Sequence, residues 1–228
     1  MKEFAQGDVT SRLAFCCADA LTVAKAAREG LRPREHTLPA FERFEEAEAA
    51  CPDRLIVIDT YVNEAAGYDW REYAPPASLC NVAPYRPPVL MVAAGGFVTR
   101  RGGAGTEVLL IFRRGMWDVP KGKAKKKESV RQCALREVQE ELGIDAIHLG
   151  QPLGATVYSY DLYNRRGQLT HVIKTTHWFQ MTTSEEEFRP QLEEGITDVA
   201  WFAWEKALRL TGFEVFRRHM ARIRHLVA

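Results

Sequence analysis

Three glutamates, Glu137, Glu140 and Glu141, are spaced so that their carboxylates would share one face of a helix. Residues three and four apart are neighbours on a helix, so like charges at this spacing disfavour it by roughly 0.2–0.5 kcal/mol per pair. A divalent cation reverses that cost, because carboxylate oxygens are natural ligands of Mg²⁺. The spacing therefore predicts either a solvated acidic face or a magnesium site.

Six further residues extend the triplet into a longer pattern: Gly122, Glu128, Arg136, Val138, Gly143 and Ile144. With the glutamates they match G-x₅-E-x₇-R-E-U-x-E-E-x-G-U at every specified position, where U is a bulky aliphatic residue. At average residue usage such a match arises by chance in about one chain of this length in ten million. Residues 122–144 resemble the Nudix box, and residues 88–228 resemble a Nudix hydrolase domain.

The resemblance implies an α/β fold, namely an α/β/α sandwich with a mixed β-sheet. It also implies hydrolysis of a diphosphate linkage in a nucleoside diphosphate joined to another group, with Mg²⁺ or Mn²⁺ as cofactor. It implies that the metal ligands are the carbonyl of Gly122 and the carboxylates of Glu137, Glu140 and Glu141. Glu128 would lie beside the metals, and the fork-shaped guanidinium of Arg136 would fix a glutamate, which makes both part of the implied catalytic set.

A basic segment precedes the predicted helix. The run Trp117-Asp118-Val119-Pro120-Lys121-Gly122 is similar to the Nudix branch that acts on dinucleoside polyphosphates, diphosphoinositol polyphosphates and 5′-triphosphorylated RNA. Clustered cations suit a long phosphate chain, and we predict substrate binding by Arg113, Lys121 and Lys123. The lysines at 125–127 could equally form a solvated loop that balances the glutamates.

Two tyrosines and two more glutamates follow the box. In the family, a tyrosine downstream of the box accompanies dinucleoside polyphosphate hydrolases. Tyr158 and Tyr160 stand there, and strand alternation sends both to one face, where one could stack on adenine or both could be core. Glutamates in the loop before the last strand serve some Nudix enzymes as an extra metal ligand or base. Glu193 and Glu194 are candidates for that role, or part of a polar surface loop.

The favoured substrate is a diadenosine polyphosphate. Diphosphoinositol polyphosphate, capped or triphosphorylated RNA, and nucleoside diphosphate sugars are alternatives within the same reaction class. A ligand-sensing regulator is the alternative outside enzymes, although such Nudix-like domains typically lack box glutamates that are present here. The expected partners are small nucleotides or polyphosphates, and nucleic acid only as a capped or triphosphorylated RNA end.

Composition sets limits on these interpretations. The chain has 228 residues, with 31 Lys plus Arg against 30 Asp plus Glu, so its net charge of +1 gives no general attraction to nucleic acid or to anionic membranes. Five irregularly spaced cysteines without a C-x-x-C pair argue for reduced thiols and a cytoplasmic location. The sequence contains no apolar run of 18 residues, so we expect no membrane-spanning segment.

Apolar patterning predicts the elements that must position the box. A glycine-rich turn joins the first two strands, and Gly143 ends the metal-binding helix. The predicted strands cover residues 89–98, 107–112, 153–161, 169–181 and 199–204. The predicted helices cover residues 128–142 and 205–227.

Residues 1–87 form a predicted N-terminal extension to the Nudix domain at 88–228. Residues 1–53 are predicted to be helical, with one helix from Thr10 or Ser11 to about Gly30 and a second from about Thr37 to just before Pro52. Residues 54–87 are rich in aromatic residues and proline and begin with a strand at 55–58. This part could be a strand-rich unit, a linker or the arm of a homodimer.

Overall fold

The computed structural model describes residues 9–51, 54–82, 84–103, 105–164 and 166–227. These residues form eleven strands: β1 (Val9–Ser11), β2 (Leu13–Ala18), β3 (Ala40–Phe41), β4 (Arg54–Asp59), β5 (Val89–Gly102), β6 (Gly105–Arg113), β7 (Met116–Asp118), β8 (Lys121–Lys123), β9 (Ile147–Tyr163), β10 (Leu169–Thr183) and β11 (Ile196–Ala203). They also form six α-helices: α1 (Ala20–Glu29), α2 (Phe44–Ala50), α3 (Thr60–Ala65), α4 (Val130–Leu142), α5 (Trp204–Leu210) and α6 (Glu214–Val227). Within the described ranges, no helix combines the length and apolar character needed to cross a bilayer.

The chain divides into two compact units. The described residues of the first unit fall in 9–10, 91–156 and 175–227, and the second unit comprises those in 11–90 and 157–174. The second unit therefore differs from the predicted extension, because it also contains the distal half of the β9–β10 hairpin.

The main sheet has the order β1-β9-β10-β5-β6-β11, with β7 paired to β6 and β8 paired to β5. Strand β6 is antiparallel to β5, β7 and β11, as the predicted hairpin at 89–112 requires. Ala94 of β5 lies opposite Gly122 of β8. This pairing fixes the start of the Nudix box to the centre of the sheet.

Helices cover both faces of this sheet. On one face, Val98 and Ile111 share a buried cluster with Val138 of α4. On the other face, the ring of Phe97 lies 5.9 Å from that of Trp204 in α5. Strand alternation sends Phe97 and Val98 to opposite faces, which explains how one strand serves both layers. The expected α/β fold, with helices on both sides of a mixed sheet, is confirmed.

The predicted C-terminal helix is interrupted. Helix α5 ends at Leu210 and α6 begins at Glu214, with the buried Thr211 between them. The Thr211 hydroxyl donates to the carbonyl of Ala207 at 2.9 Å and closes the first helix. Gly212 follows, and glycine is a poor helix former. The apolar pattern continues across this break, which is why it predicted a single helix.

The predicted helix from Thr10 or Ser11 is wrong in its first half. Residues Leu13–Ala18 form β2 instead, with all six side chains buried. A short continuous apolar run has no period that separates a buried strand from a buried helix. Helix α1 begins after Asp19, whose carboxylate accepts the backbone N–H of Thr22 at 2.7 Å and caps the helix.

The second predicted helix starts later than expected. Residues Ala40–Phe41 form β3 and pair with β2, and α2 begins at Phe44. The predicted strand at 55–58 is confirmed as part of β4, which completes the three-stranded sheet β3-β2-β4. Residues 9–51 are therefore mixed rather than helical, because β2 needs partners on both sides. Residues 1–8 and 52–53, also predicted to be helical, lie outside the described part of the chain.

The second unit has its own core, and the hairpin contributes to it. Phe15 and Val57 of the small sheet are buried in one cluster with Ile173 of β10, and Val157 of β9 packs against that cluster. The hairpin's Asp161 accepts a hydrogen bond from the Arg86 guanidinium at 2.6 Å. Residues 157–174 are therefore an integral part of this unit.

Ile173→Ala should lower the free energy of unfolding by about 2–4 kcal/mol, because it removes a fully buried side chain and leaves a cavity. Leu169→Ala on the same strand is the matched control, since Leu169 is 36% exposed and should contribute less than about 1 kcal/mol. Urea unfolding measures both. Equal effects would show that the hairpin does not share the core of the second unit.

Candidate active site

Helix α4 begins and ends at residues that fix the register of its glutamates. Ser129 caps it, and the side chains of Ser129 and Gln132 each bond to the other's backbone N–H. Gly143 adopts a left-handed conformation with φ 64° and donates its N–H to the carbonyl of Gln139. A Cβ at Gly143 would lie 2.2 Å from the carbonyl oxygen of Arg189. Glycine is required at this position for both reasons.

Gly122 allows the helix to approach β8 closely. A Cβ at this position would lie 1.8 Å from a carboxylate oxygen of Glu137. The Glu137 side chain therefore lies directly against the backbone of β8. The Gly122 carbonyl faces the buried thiol of Cys133, with the sulfur 3.7 Å from the oxygen. The first and central parts of the Nudix box meet at this contact.

Arg136 gathers three carboxylates around one guanidinium. Its Nε and Nη2 donate to the two oxygens of Glu128 at 2.7 and 2.9 Å. Its Nη1 donates to Glu137 at 2.7 Å and to Glu140 at 2.8 Å. The bond from Arg136 is the largest influence that lowers the pKa of Glu128 to about 2, and the backbone N–H of Lys125 adds to it. The resemblance implied that Arg136 fixes one glutamate, and the structure shows contacts to three.

Glu141 occupies a different environment from its neighbours. Its side chain is only 2% exposed, and it accepts the backbone N–H of Lys121 at 2.8 Å. The Arg113 guanidinium lies 3.4 Å from its other oxygen. Burial raises the pKa of Glu141 to about 7, although the positive charges of Lys121 and Arg113 oppose the shift. Among the box glutamates, Glu141 thus carries the largest desolvation cost when ionised.

The donor atoms of the box fit a hard divalent cation. Glu137, Glu140 and Glu141 project from consecutive turns of α4 and offer carboxylate oxygens, which Mg²⁺ prefers. Across the described ranges, however, no three acidic, histidine or cysteine side chains converge well enough to hold one ion. Arg136 explains this arrangement, because it directs oxygens of Glu137 and Glu140 toward itself. The assignment of these residues as metal ligands stays a prediction.

The three predicted phosphate-binding cations have different surroundings. Lys121 is buried, and its ammonium pairs with Asp118 and donates to the carbonyl of Val119 at 3.3 Å. Lys123 is exposed on β8. Arg113 lies between them in exposure and contacts Glu141. A phosphate contact from the Lys121 ammonium would require breaking its buried ion pair, whereas Arg113 and Lys123 remain accessible.

Asp118 is a supporting residue that the motifs in the sequence do not indicate. By pairing with the Lys121 ammonium, it holds the segment whose backbone N–H binds Glu141. Its position three residues before a lysine was the available signal. That spacing alone does not show that both side chains are buried.

The remaining predicted residues are divided between the units. Glu194 pairs with Arg113 at 2.6 Å and so joins the box, although its side chain, like that of its neighbour Glu193, is exposed. Tyr158 and Tyr160 belong to the second unit, where their rings stack with centroids 5.8 Å apart. Stacking of either tyrosine on adenine stays a prediction.

Comparison with known proteins identifies the family. A family model described as the NUDIX domain matches residues 89–222, which is more than half of the chain. The chain belongs to the Nudix family. It is a Nudix hydrolase of pyrophosphate bonds, and Nudix hydrolases generally use divalent metal ions.

Several solved Nudix structures are similar to part of this Nudix hydrolase. The Caenorhabditis elegans Ap4A hydrolase in a binary complex is 18% identical, covers 60% of this chain and 96% of its own, and has a TM-score of 0.48. A MutT protein from Methanosarcina mazei Go1 is 23% identical, with coverages of 62% and 96% and a TM-score of 0.46. The Escherichia coli dihydroneopterin triphosphate pyrophosphohydrolase is 19% identical, with coverages of 57% and 92% and a TM-score of 0.45.

Gly122→Ala should lower kcat/KM by about a hundredfold, because the new methyl group displaces the Glu137 carboxylate by an ångström or more. Gly103→Ala is the matched control, since a Cβ there meets nothing within 4 Å. Initial rates measure kcat/KM for both variants, and melting curves show whether both are folded. Full activity in Gly122→Ala would show that the close contact between α4 and β8 is dispensable.

Relative to the wild type, Glu141→Gln should make the metal-free protein more stable at pH 8 than at pH 5. The pKa of Glu141 is raised, so its favourable contribution is complete below the unfolded value near 4.5 and is lost as pH rises through about 7. The variant does not titrate at this position. The stability difference between variant and wild type should therefore shift by about 2–3 kcal/mol between these pH values. Urea unfolding in EDTA measures it, and a constant difference would contradict the burial argument.

Proposed function

We propose that this Nudix hydrolase cleaves a diphosphate linkage in a nucleoside diphosphate joined to another group, with a diadenosine polyphosphate as preferred substrate. The observation that carries the proposal is the Arg136 cluster, which brings the carboxylates of Glu128, Glu137 and Glu140 together beside β8. Two cations lie nearby: the partly exposed Arg113 contacts Glu141, and the exposed Lys123 accepts a hydrogen bond from Arg136 at its backbone carbonyl. Carboxylates for a metal and cations for phosphates are the two components that such a reaction needs.

In this proposal the carbonyl of Gly122 and the carboxylates of Glu137, Glu140 and Glu141 would hold Mg²⁺ or Mn²⁺. When bound, the metal neutralises phosphate oxygens and lowers the pKa of water. Arg136 positions the ligands, and a carboxylate oxygen of the box accepts the proton that the attacking water gives up. Lys121 acts through its backbone N–H, which orients the Glu141 carboxylate.

Substrate preference rests on the charges around the box. Arg113 lies on β6 and Lys123 on β8, and a chain of several phosphates offers more oxygens to such cations than a single diphosphate does. The same cations suit diphosphoinositol polyphosphates and triphosphorylated or capped RNA ends, and nucleoside diphosphate sugars share the bond that is cleaved. We place the enzyme in the cytoplasm, where thiols such as the buried Cys133 remain reduced.

A substrate panel tests the proposal. With Mg²⁺, diadenosine tetraphosphate should give a kcat/KM about tenfold or more above that of an ADP-sugar, because an added charge-assisted contact contributes about 1.5–3 kcal/mol.

EDTA should abolish turnover, and Glu140→Gln should reduce turnover about a hundredfold. Glu187→Gln is the control, since Glu187 is exposed and lies outside the box. A diphosphoinositol or RNA substrate that ranks first would contradict the preferred substrate, and full turnover in EDTA would contradict the metal assignment.

A further inference from the structure

Not all hydrogen-bond donors of the Arg113 guanidinium are paired. Its Nη1 lies 3.4 Å from the buried Glu141, and its Nη2 donates to one oxygen of Glu194 at 2.6 Å. Its Nε is buried and has no hydrogen-bond partner among the residues that the structure describes. A buried donor without an acceptor is unfavourable, so the contact to Glu194 does not satisfy this side chain.

The geometry of arginine shows which ligand would satisfy it. Nε and Nη2 lie on one edge of the planar guanidinium and donate in parallel to two oxygens of a carboxylate or a phosphate. Glu194 engages Nη2 but leaves Nε unpaired. A phosphate group with two oxygens on this edge would fill both donors. The edge of Arg113 is therefore better matched to phosphate than to Glu194 as placed.

Glu194 is a partner that can leave at small cost. Its side chain is 53% exposed, whereas that of Arg113 is 20% exposed. It ends the short 3-10 turn Leu192–Glu194, and Gly195 follows in a left-handed conformation with open space around it. Ion pairs with one exposed partner contribute little to stability, because water replaces the lost contact. The pair of Lys121 with Asp118 is buried on both sides and lacks this property.

We propose that Glu194 is a specificity-determining residue that competes with substrate phosphate for the Nε–Nη2 edge of Arg113. This inference rests on the proposed function. Ligands whose phosphates do not reach Arg113 leave the ion pair intact, and longer phosphate chains displace the Glu194 carboxylate. Glu194 thereby lowers affinity for all phosphate ligands that use Arg113 and makes binding depend on filling both donors of the fork.

Binding of inorganic tripolyphosphate to the full chain, measured by calorimetry in EDTA, tests this competition without turnover. Glu194→Gln should tighten the dissociation constant by about two- to fivefold, the value of one partly exposed ion pair. Glu187→Gln removes the same charge from an exposed position earlier in the loop. It should change the dissociation constant less than about 1.5-fold. In the Arg113→Ala background, Glu194→Gln should have no effect.

A second background keeps the test independent of misfolding. Arg113→Lys retains the charge but not the fork, so Glu194→Gln should tighten binding less there than in wild type. Three results would each overturn the competition: weaker or undetectable binding in Glu194→Gln, an equal gain in the Arg113→Ala background, or an equal gain from Glu187→Gln. A tenfold fall in kcat with unchanged affinity would instead assign Glu194 as a base or ligand. Failure of the substrate panel would leave these binding results unaffected, so the two proposals fail separately.

Discussion

The bonds from Arg136 hold three acidic side chains of the Nudix box together at one site, against their mutual repulsion. Glu137 and Glu140 carry like charges on adjacent turns of α4, and Glu128 approaches them from the preceding loop. Without a counter-charge, their repulsion would disfavour this arrangement by roughly 0.2–0.5 kcal/mol per pair. The guanidinium bonds to all three, and so ties the loop to the helix. A divalent cation would attract some of the same oxygens, so these bonds also set a free energy that metal binding must exceed.

Three cations around the box serve three different purposes. Arg136 is committed to carboxylates, and Lys121 is committed to the buried Asp118. Arg113 connects the buried Glu141 to the exposed Glu194 and retains an unused donor. Equal formal charges thus differ in their availability to a substrate, because burial and partners decide which contacts can be exchanged.

The sequence predicts most of the first unit because its signals there are local and redundant. For α4, the spacing of the glutamates and the terminal Gly143 agree with one another, although the predicted start at residue 128 precedes the cap at Ser129. The β5–β6 hairpin combines two apolar runs with a glycine-rich turn, and the family pattern indicates the sandwich around them.

Where signals were single or non-local, prediction failed. The run at Leu13–Ala18 has no period, and only its pairing with β3 and β4 makes it a strand. The same limit applies to the site, since the commitment of Lys121 to Asp118 depends on burial. The membership of residues 157–174 in the second unit depends on contacts with residues that are distant in sequence, the bond between Arg86 and Asp161 spanning 75 positions.

The thiol beneath the box gives this enzyme an internal reporter. Cys133 is fully buried on α4, faces the Gly122 carbonyl and has its pKa raised to about 11, chiefly by burial. The other four cysteines all lie in the second unit. Alkylating reagents need both access and thiolate, so labelling of Cys133 requires α4 to lift from β8. Its labelling rate therefore reports how often α4 separates from β8, and no cysteine has to be introduced by mutation.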